Sequence, residues 1–262
     1  MVSRQMVQLA AATLAFCAFS GAGLAGQPDV ARPSAAKPET PLGVVELFTS
    51  QGCSSCPPAD ELFADFVARK DIVALAYHVD YWDYLGWKDT LSSKKNTERQ
   101  YAYMRAFGTR SVYTPQAVIN GRTHVNGASR SAVADTLAHM DKSAQGMRVP
   151  IKVTQEGDGV VIEAGDAGID PATPVDAHVV VVYFDPPQTI SIGKGENSGR
   201  RETYWNAVSD IQTAGMWHGK AQRYELPMSE ISKRGGCAVL LQAMGKDGLP
   251  GPILGAAMIR NP

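Results

Sequence analysis

Gly52-Cys53-Ser54-Ser55-Cys56-Pro57-Pro58 is the stretch around which the rest of the chain is organised. Ahead of it, Gly43-Val-Val-Glu-Leu-Phe-Thr49 is a short apolar, β-prone run that reads as a buried strand. Behind it, Leu62, Phe63, Phe66 and Val67 share one helical face, and Pro57 or Pro58 suits a first helical turn. The cysteine pair is therefore expected at a strand-to-helix turn, where unpaired N–H groups and the helix dipole favour negative charge. A thiolate on Cys53 would benefit, because the anion is the attacking species in disulfide exchange. Cys56 is close enough to close a small-ring disulfide with it. A static disulfide and half of a zinc site are the alternatives, and the lack of a second Cys-x-x-Cys counts against zinc.

Composition narrows the class. The 262 residues carry 25 Lys+Arg against 26 Asp+Glu, a formal net charge of −1, which lacks the basic excess of a nucleic-acid binder. Hydrophobic residues make up 44% of the chain and charged ones 19%, enough to build a sizeable core. Residues 1–25 read as a secretory signal peptide, with Arg4 ahead of an apolar stretch and Gly23-Leu24-Ala25 as a small-x-small cleavage site. Cleavage there removes Cys17 and leaves Cys53, Cys56 and Cys237 in an oxidising compartment, periplasmic or secreted. No later segment is long and apolar enough to be expected to span a bilayer.

Residues 26–42, rich in Pro and Ala, read as a flexible lead-in. From Gly43 the pattern gives a strand, a helix, a second strand over 71–78, a helix from Ser92 to Phe107 and a strand over 116–119. Asn120-Gly121 then turns that strand into the run 122–125, and a last helix starts at Ser129. The order β-α-β-α-β-β-α is that of thioredoxin, so 43–146 is expected to be an α/β thioredoxin-like domain. Beyond it, short alternating runs separated by Gly, Pro and Asp predict a mainly antiparallel, β-sandwich-like second domain over 147–262. Tyr204–Thr213 could also be helical.

Val45-Glu-Leu-Phe-Thr-Ser-Gln-Gly-Cys-Ser-Ser-Cys-Pro57, Tyr77-His-Val-Asp-Tyr-Trp-Asp-Tyr-Leu-Gly-Trp87, Tyr113-Thr-Pro-Gln116 and Gly195-Glu-Asn-Ser-Gly-Arg200 resemble the signature blocks of one family. It is the family of bacterial secreted proteins known as domain of unknown function 1223, with a thioredoxin-like fold. The resemblance spans essentially the whole mature chain and implies the fold; it leaves the activity open.

Topology suggests which residues meet the cysteines. The C-terminal ends of the first two strands, at the cysteine turn and at His78, should open on the same edge as the start of the third, at Thr114-Pro115. Thioredoxin-like proteins hold a cis proline at the position of Pro115, whose preceding backbone pairs with the substrate chain, and the resemblance carries that role to Thr114 and Pro115. It also puts Glu46 at about the place where thioredoxins keep a buried acid that takes the proton of the resolving thiol; a solvent-facing carboxylate is the alternative. His78 could stabilise the Cys53 thiolate, ligate a metal, or simply pack at a strand end. Asp80 to Trp87 offer an aromatic platform or the core of an insertion, Cys237 reads as a buried small hydrophobe, and Gly193–Arg201 as a solvated loop.

Three functions follow as expectations. The first is a thiol–disulfide oxidoreductase in which Cys53, the more exposed thiol, attacks and Cys56 resolves. Its partners would be protein thiols or disulfides and a separate redox protein, with no cofactor and no nucleic acid. The second is a Cu(I) module on Cys53, Cys56 and His78, since soft thiolates suit that ion. The third is a binding or adaptor protein whose cysteines form a structural disulfide.

Overall fold

Gly43–Thr49 forms the first strand, β1, and all seven of its residues are buried, as befits a strand covered on both faces. The structure, a computed structural model, describes residues 40–143, 145–168, 176–227, 229, 231 and 233–261. The expected signal peptide with Cys17, and most of the expected lead-in, lie outside the described residues. After β1 come α1 (Pro57–Ala68), β2 (Ile72–His78), α2 (Lys94–Ala106), β3 (Gln116–Ile119), β4 (Thr123–Asn126) and α3 (Arg130–Lys142). The four strands make one sheet in the order β2-β1-β3-β4. β2 runs parallel to β1, and β3 runs antiparallel to it. Asn120, Gly121 and Arg122 join β3 to β4, with Ile119 paired to Thr123, and Asn120 and Gly121 take the left-handed conformation with φ of 50° and 62°, which Asn-Gly favours in hairpin turns. A side chain on Gly121 would also come within 2.6 Å of the Gly251 carbonyl oxygen, so the turn needs glycine for packing as well.

The remaining strands are β5 (Ile151–Glu156), β6 (Gly159–Ala164), β7 (Ala177–Phe184), β8 (Gln188–Ser191), β9 (Arg201–Tyr204), β10 (Val208–Trp217), β11 (Gln222–Pro227), β12 (Gly236–Met244) and β13 (Pro250–Arg260). They form a sheet in the order β10-β7-β12-β13, another in the order β11-β6-β5, and the separate hairpin β8-β9. The stretch for which a helix was the alternative is thus mostly strand: β10 pairs antiparallel with β7.

Strand alternation explains the layering. Val179, Val181 and Tyr183 of β7, with Cys237, Val239 and Leu241 of β12, pack against Ile151, Val160 and Ile162 of β5 and β6. The alternate residues Val180, Val182, Phe184, Ala238 and Leu240 share a core with Val44, Phe48, Val73, Leu75 and Tyr77 of β1 and β2. On the far face of the first sheet, Val45, Leu47, Ala74 and Ala76 meet Phe63 and Phe66 of α1 and Val133 and Leu137 of α3.

This arrangement corrects the expected α/β thioredoxin-like class. Among the described residues strands take up 41% and helices 21%, with three α-helices and several small sheets, so the molecule is mainly β. The reason is the cover on β1 and β2. In an α/β protein helices would take both faces, whereas here β7 and β12 supply apolar residues to one of them. The residues Lys37–Pro262 group into one compact unit. Among the described residues no helix is long and apolar enough to cross a membrane.

Candidate functional site

The cysteines lie where the strand-to-helix reading puts them. Cys56 caps α1, and Pro57 and Pro58 open the helix; Cys53 and Cys56 are joined as a disulfide with their Cα atoms 5.4 Å apart. One part of the electrostatic expectation changes. The two prolines have no N–H, and the N–H groups of Ala59 and Asp60 donate back to the Cys56 carbonyl. The first turn therefore has fewer free donors for a sulfur anion than an ordinary helix start.

A side chain supplies the donor instead. Thr114 Oγ1 donates to Cys53 Sγ at 3.2 Å, and the same hydroxyl accepts from Trp82 Nε1 at 2.8 Å. With an N–H on its lone pair, the Thr114 hydroxyl proton is turned toward the sulfur. Ser55 Oγ lies 3.3 Å from Cys53 Sγ and donates to the Thr114 carbonyl at 3.3 Å. The Thr114–Pro115 peptide is cis. Cys53, Cys56, Thr114 and Pro115 thus meet on one edge of the sheet, with Trp82 as the residue that orients Thr114.

Glu46 and His78 do not join them. Glu46 faces the second sheet, where its carboxylate takes Arg99 Nε at 2.7 Å and the hydroxyl of Tyr103. His78 is fully buried, with Nδ1 2.8 Å from Asp89 Oδ2 and, among the described residues, no hydrogen-bond partner for Nε2. Burial works against the charged imidazole, but the Asp89 carboxylate outweighs it and the His78 pKa is raised. Asp89 itself is held low by His78 and by the Gln51 and Leu91 N–H groups, in spite of its burial. The expected exposure of Cys53 is also corrected: Cys53 is 1% exposed and Cys56 0%. Cys53 is enclosed because its turn is covered by residues remote in sequence, which strand and helix periodicity cannot reveal.

Asp60 is a residue that the sequence reading missed. It lies in the first turn of α1 and accepts from Thr49 Oγ1 at 2.7 Å. Burial raises its pKa to about 7, against the lowering pull of His78. A signal existed: Asp60, Phe63 and Val67 share one helical face, so the acid had to turn inward with the apolar residues. A pKa raised in the folded state favours the protonated form. The contribution of Asp60 to stability is present below its unfolded value of 3.8 and is lost as pH rises through about 7. Asp60→Asn keeps an acceptor for Thr49 and removes the titration. In urea unfolding from pH 4 to 8, the variant should gain on the wild type up to about pH 7 and then hold a constant lead; a gap independent of pH would refute the assignment.

Cys237 is fully buried between sheets, and burial pushes its thiol up to about 12. Among the described residues no group of three or more His, Cys, Asp and Glu side chains is placed to hold a metal ion.

Fold and site together define a mainly β protein with a Cys-x-x-Cys disulfide at a strand–helix turn. The chain belongs to the family described as protein of unknown function (DUF1223), which it matches over residues 44–242. It is similar to the crystal structure of protein AGR_C_4864 from Agrobacterium tumefaciens, with 47% identity and a TM-score of 0.77 over 85% of this chain and 95% of that one. HBP35 of Porphyromonas gingivalis is similar in fold, with 11% identity and a TM-score of 0.58 over 85% of this chain and 75% of that one. No curated protein matches the chain.

Proposed function

We propose that the protein exchanges thiols and disulfides through Cys53 and Cys56, outside the cytoplasm, with protein thiols or disulfides as substrates. In the reduced form the Cys53 thiolate attacks one sulfur of a substrate disulfide, and the other sulfur leaves as a thiolate. Cys56 then attacks Cys53 Sγ, forms the Cys53–Cys56 bond and releases the second substrate sulfur as a thiolate. Two electrons pass from the cysteine pair to the substrate, and a dithiol redox partner returns the pair to its starting state by the reverse steps.

The observation that carries this reading is the chain Trp82 Nε1 to Thr114 Oγ1 to Cys53 Sγ. An oriented donor on one sulfur lowers the cost of a thiolate there, and a purely structural disulfide has no use for it. Hydrogen bonds to charged groups contribute about 1.5–3 kcal/mol, which corresponds to roughly one to two pKa units. Thr114→Val removes the hydroxyl at nearly constant volume. In the reduced protein it should raise the Cys53 pKa by about one unit or more and slow exchange with a small disulfide at neutral pH. An unchanged Cys53 titration would remove the support for this reading. The burial of both sulfurs favours a second reading, a structural disulfide in a binding protein; that reading requires no exchange with any substrate.

A further inference from the structure

The loop between β8 and β9 turns two side chains inward, Ile192 and Asn197, and Asn197 reaches the cysteine turn. Among the described residues β8 and β9 pair only with each other, and a lone two-stranded hairpin is marginally stable in water. Residues 193, 194, 196 and 198–200 of its loop are exposed, whereas Asn197 is 3% exposed. Asn197 Nδ2 donates to the carbonyl oxygens of Gln51 and Cys53, both at 2.9 Å. Among the described residues, these two are the hydrogen bonds that join the loop to the cysteine turn. Gly195, with φ of +78°, lies so close to Trp87 that an added Cβ would stand 3.2 Å from the Trp87 Cβ. Trp87 in turn donates to Gln51 Oε1 at 2.8 Å, so the loop rests on the residues that shape the turn.

We infer that this loop regulates the disulfide as a gate, with Asn197 as its latch, so that exchange at Cys53 waits on the loop lifting. The inference rests on the exchange reading above. An incoming thiolate must approach a sulfur directly, and neither sulfur is accessible in the closed state. A segment with an exposed loop and few polar ties opens locally at lower cost than global unfolding. Releasing the two Asn197 bonds is the polar part of that opening.

The test is native-state reduction by dithiothreitol, which supplies the two electrons and is itself oxidised to its cyclic disulfide. Product is counted by maleimide labelling of Cys53 and Cys56 and mass spectrometry. Asn197→Ala should be reduced roughly tenfold or more faster than the wild type, the ratio expected from two lost hydrogen bonds. Lys194→Ala, on the exposed side of the same loop, should match the wild type in rate and in thermal midpoint, whereas the midpoint of Asn197→Ala should fall by a few degrees, because the two bonds are lost to global unfolding as well. In the wild type, the logarithm of the reduction rate should rise with urea on a slope well below that of global unfolding. Reduction of Asn197→Ala at the wild-type rate, or a wild-type slope equal to the global one, overturns the gate. The urea slope decides the matter even if Asn197→Ala fails to fold. Faster reduction of Asn197→Ala with no partner captured by Cys56→Ser would leave the gate standing and remove the exchange reading; the opposite pair of results would do the reverse.

Discussion

Cys56→Ser in a Cys237→Ala background is expected to accumulate covalent adducts with partner proteins through Cys53. Exchange passes through a mixed disulfide that the second thiol normally cleaves. With Ser at 56 the adduct has no internal resolving group, so it persists until an external thiol reaches it. Expressed in an oxidising compartment, the variant should show high-mass bands that disappear under reductant. Removing Cys53 as well should abolish them. The Cys237→Ala change excludes the remaining thiol of the described residues, which is buried and held protonated. No adducts from a variant whose Cys53 alkylates readily would rule out exchange as the function.

Arg99→Met is expected to lower stability by about 3–5 kcal/mol, the range for removing one partner of a buried ion pair. The Arg99 side chain is 10% exposed and its partner Glu46 0% exposed. The guanidinium also donates to Tyr103 and Gln242, each at 3.1 Å, which ties β1 and α2 to β12. Without it the Glu46 carboxylate stays buried with the Tyr103 hydroxyl and no counter-charge. Adding Glu46→Gln should therefore restore much of the loss in urea unfolding. The same double variant probes chemistry, because a Glu46 that served the cysteines would shift the Cys53 titration when neutralised. The geometry predicts no such shift. A loss below about 1 kcal/mol in the single variant would show that the pair is not buried as described.

Local rules decided several features correctly from the sequence. The apolar run before Gly52, the helical face after Cys56 and the Asn120-Gly121 pair placed the cysteines at a strand–helix turn and β3 and β4 in a hairpin. Antiparallel pairing of β3 with β1 also brought Thr114, just ahead of β3, to the cysteine edge. Each of these depends on backbone preferences acting over a few residues or one crossover. What the sequence alone could not decide depends on contacts between residues far apart along the chain. The continuous apolar run of β1 showed that the strand would be buried, but such a run reads the same whether helices or β7 and β12 provide the cover, and so the α/β class was wrong. Glu46 finds Arg99 53 positions away, and Asn197 reaches Cys53 across 144. A buried carboxylate or carbonyl requires a partner, and only the packed tertiary structure decides which side chain fills that requirement.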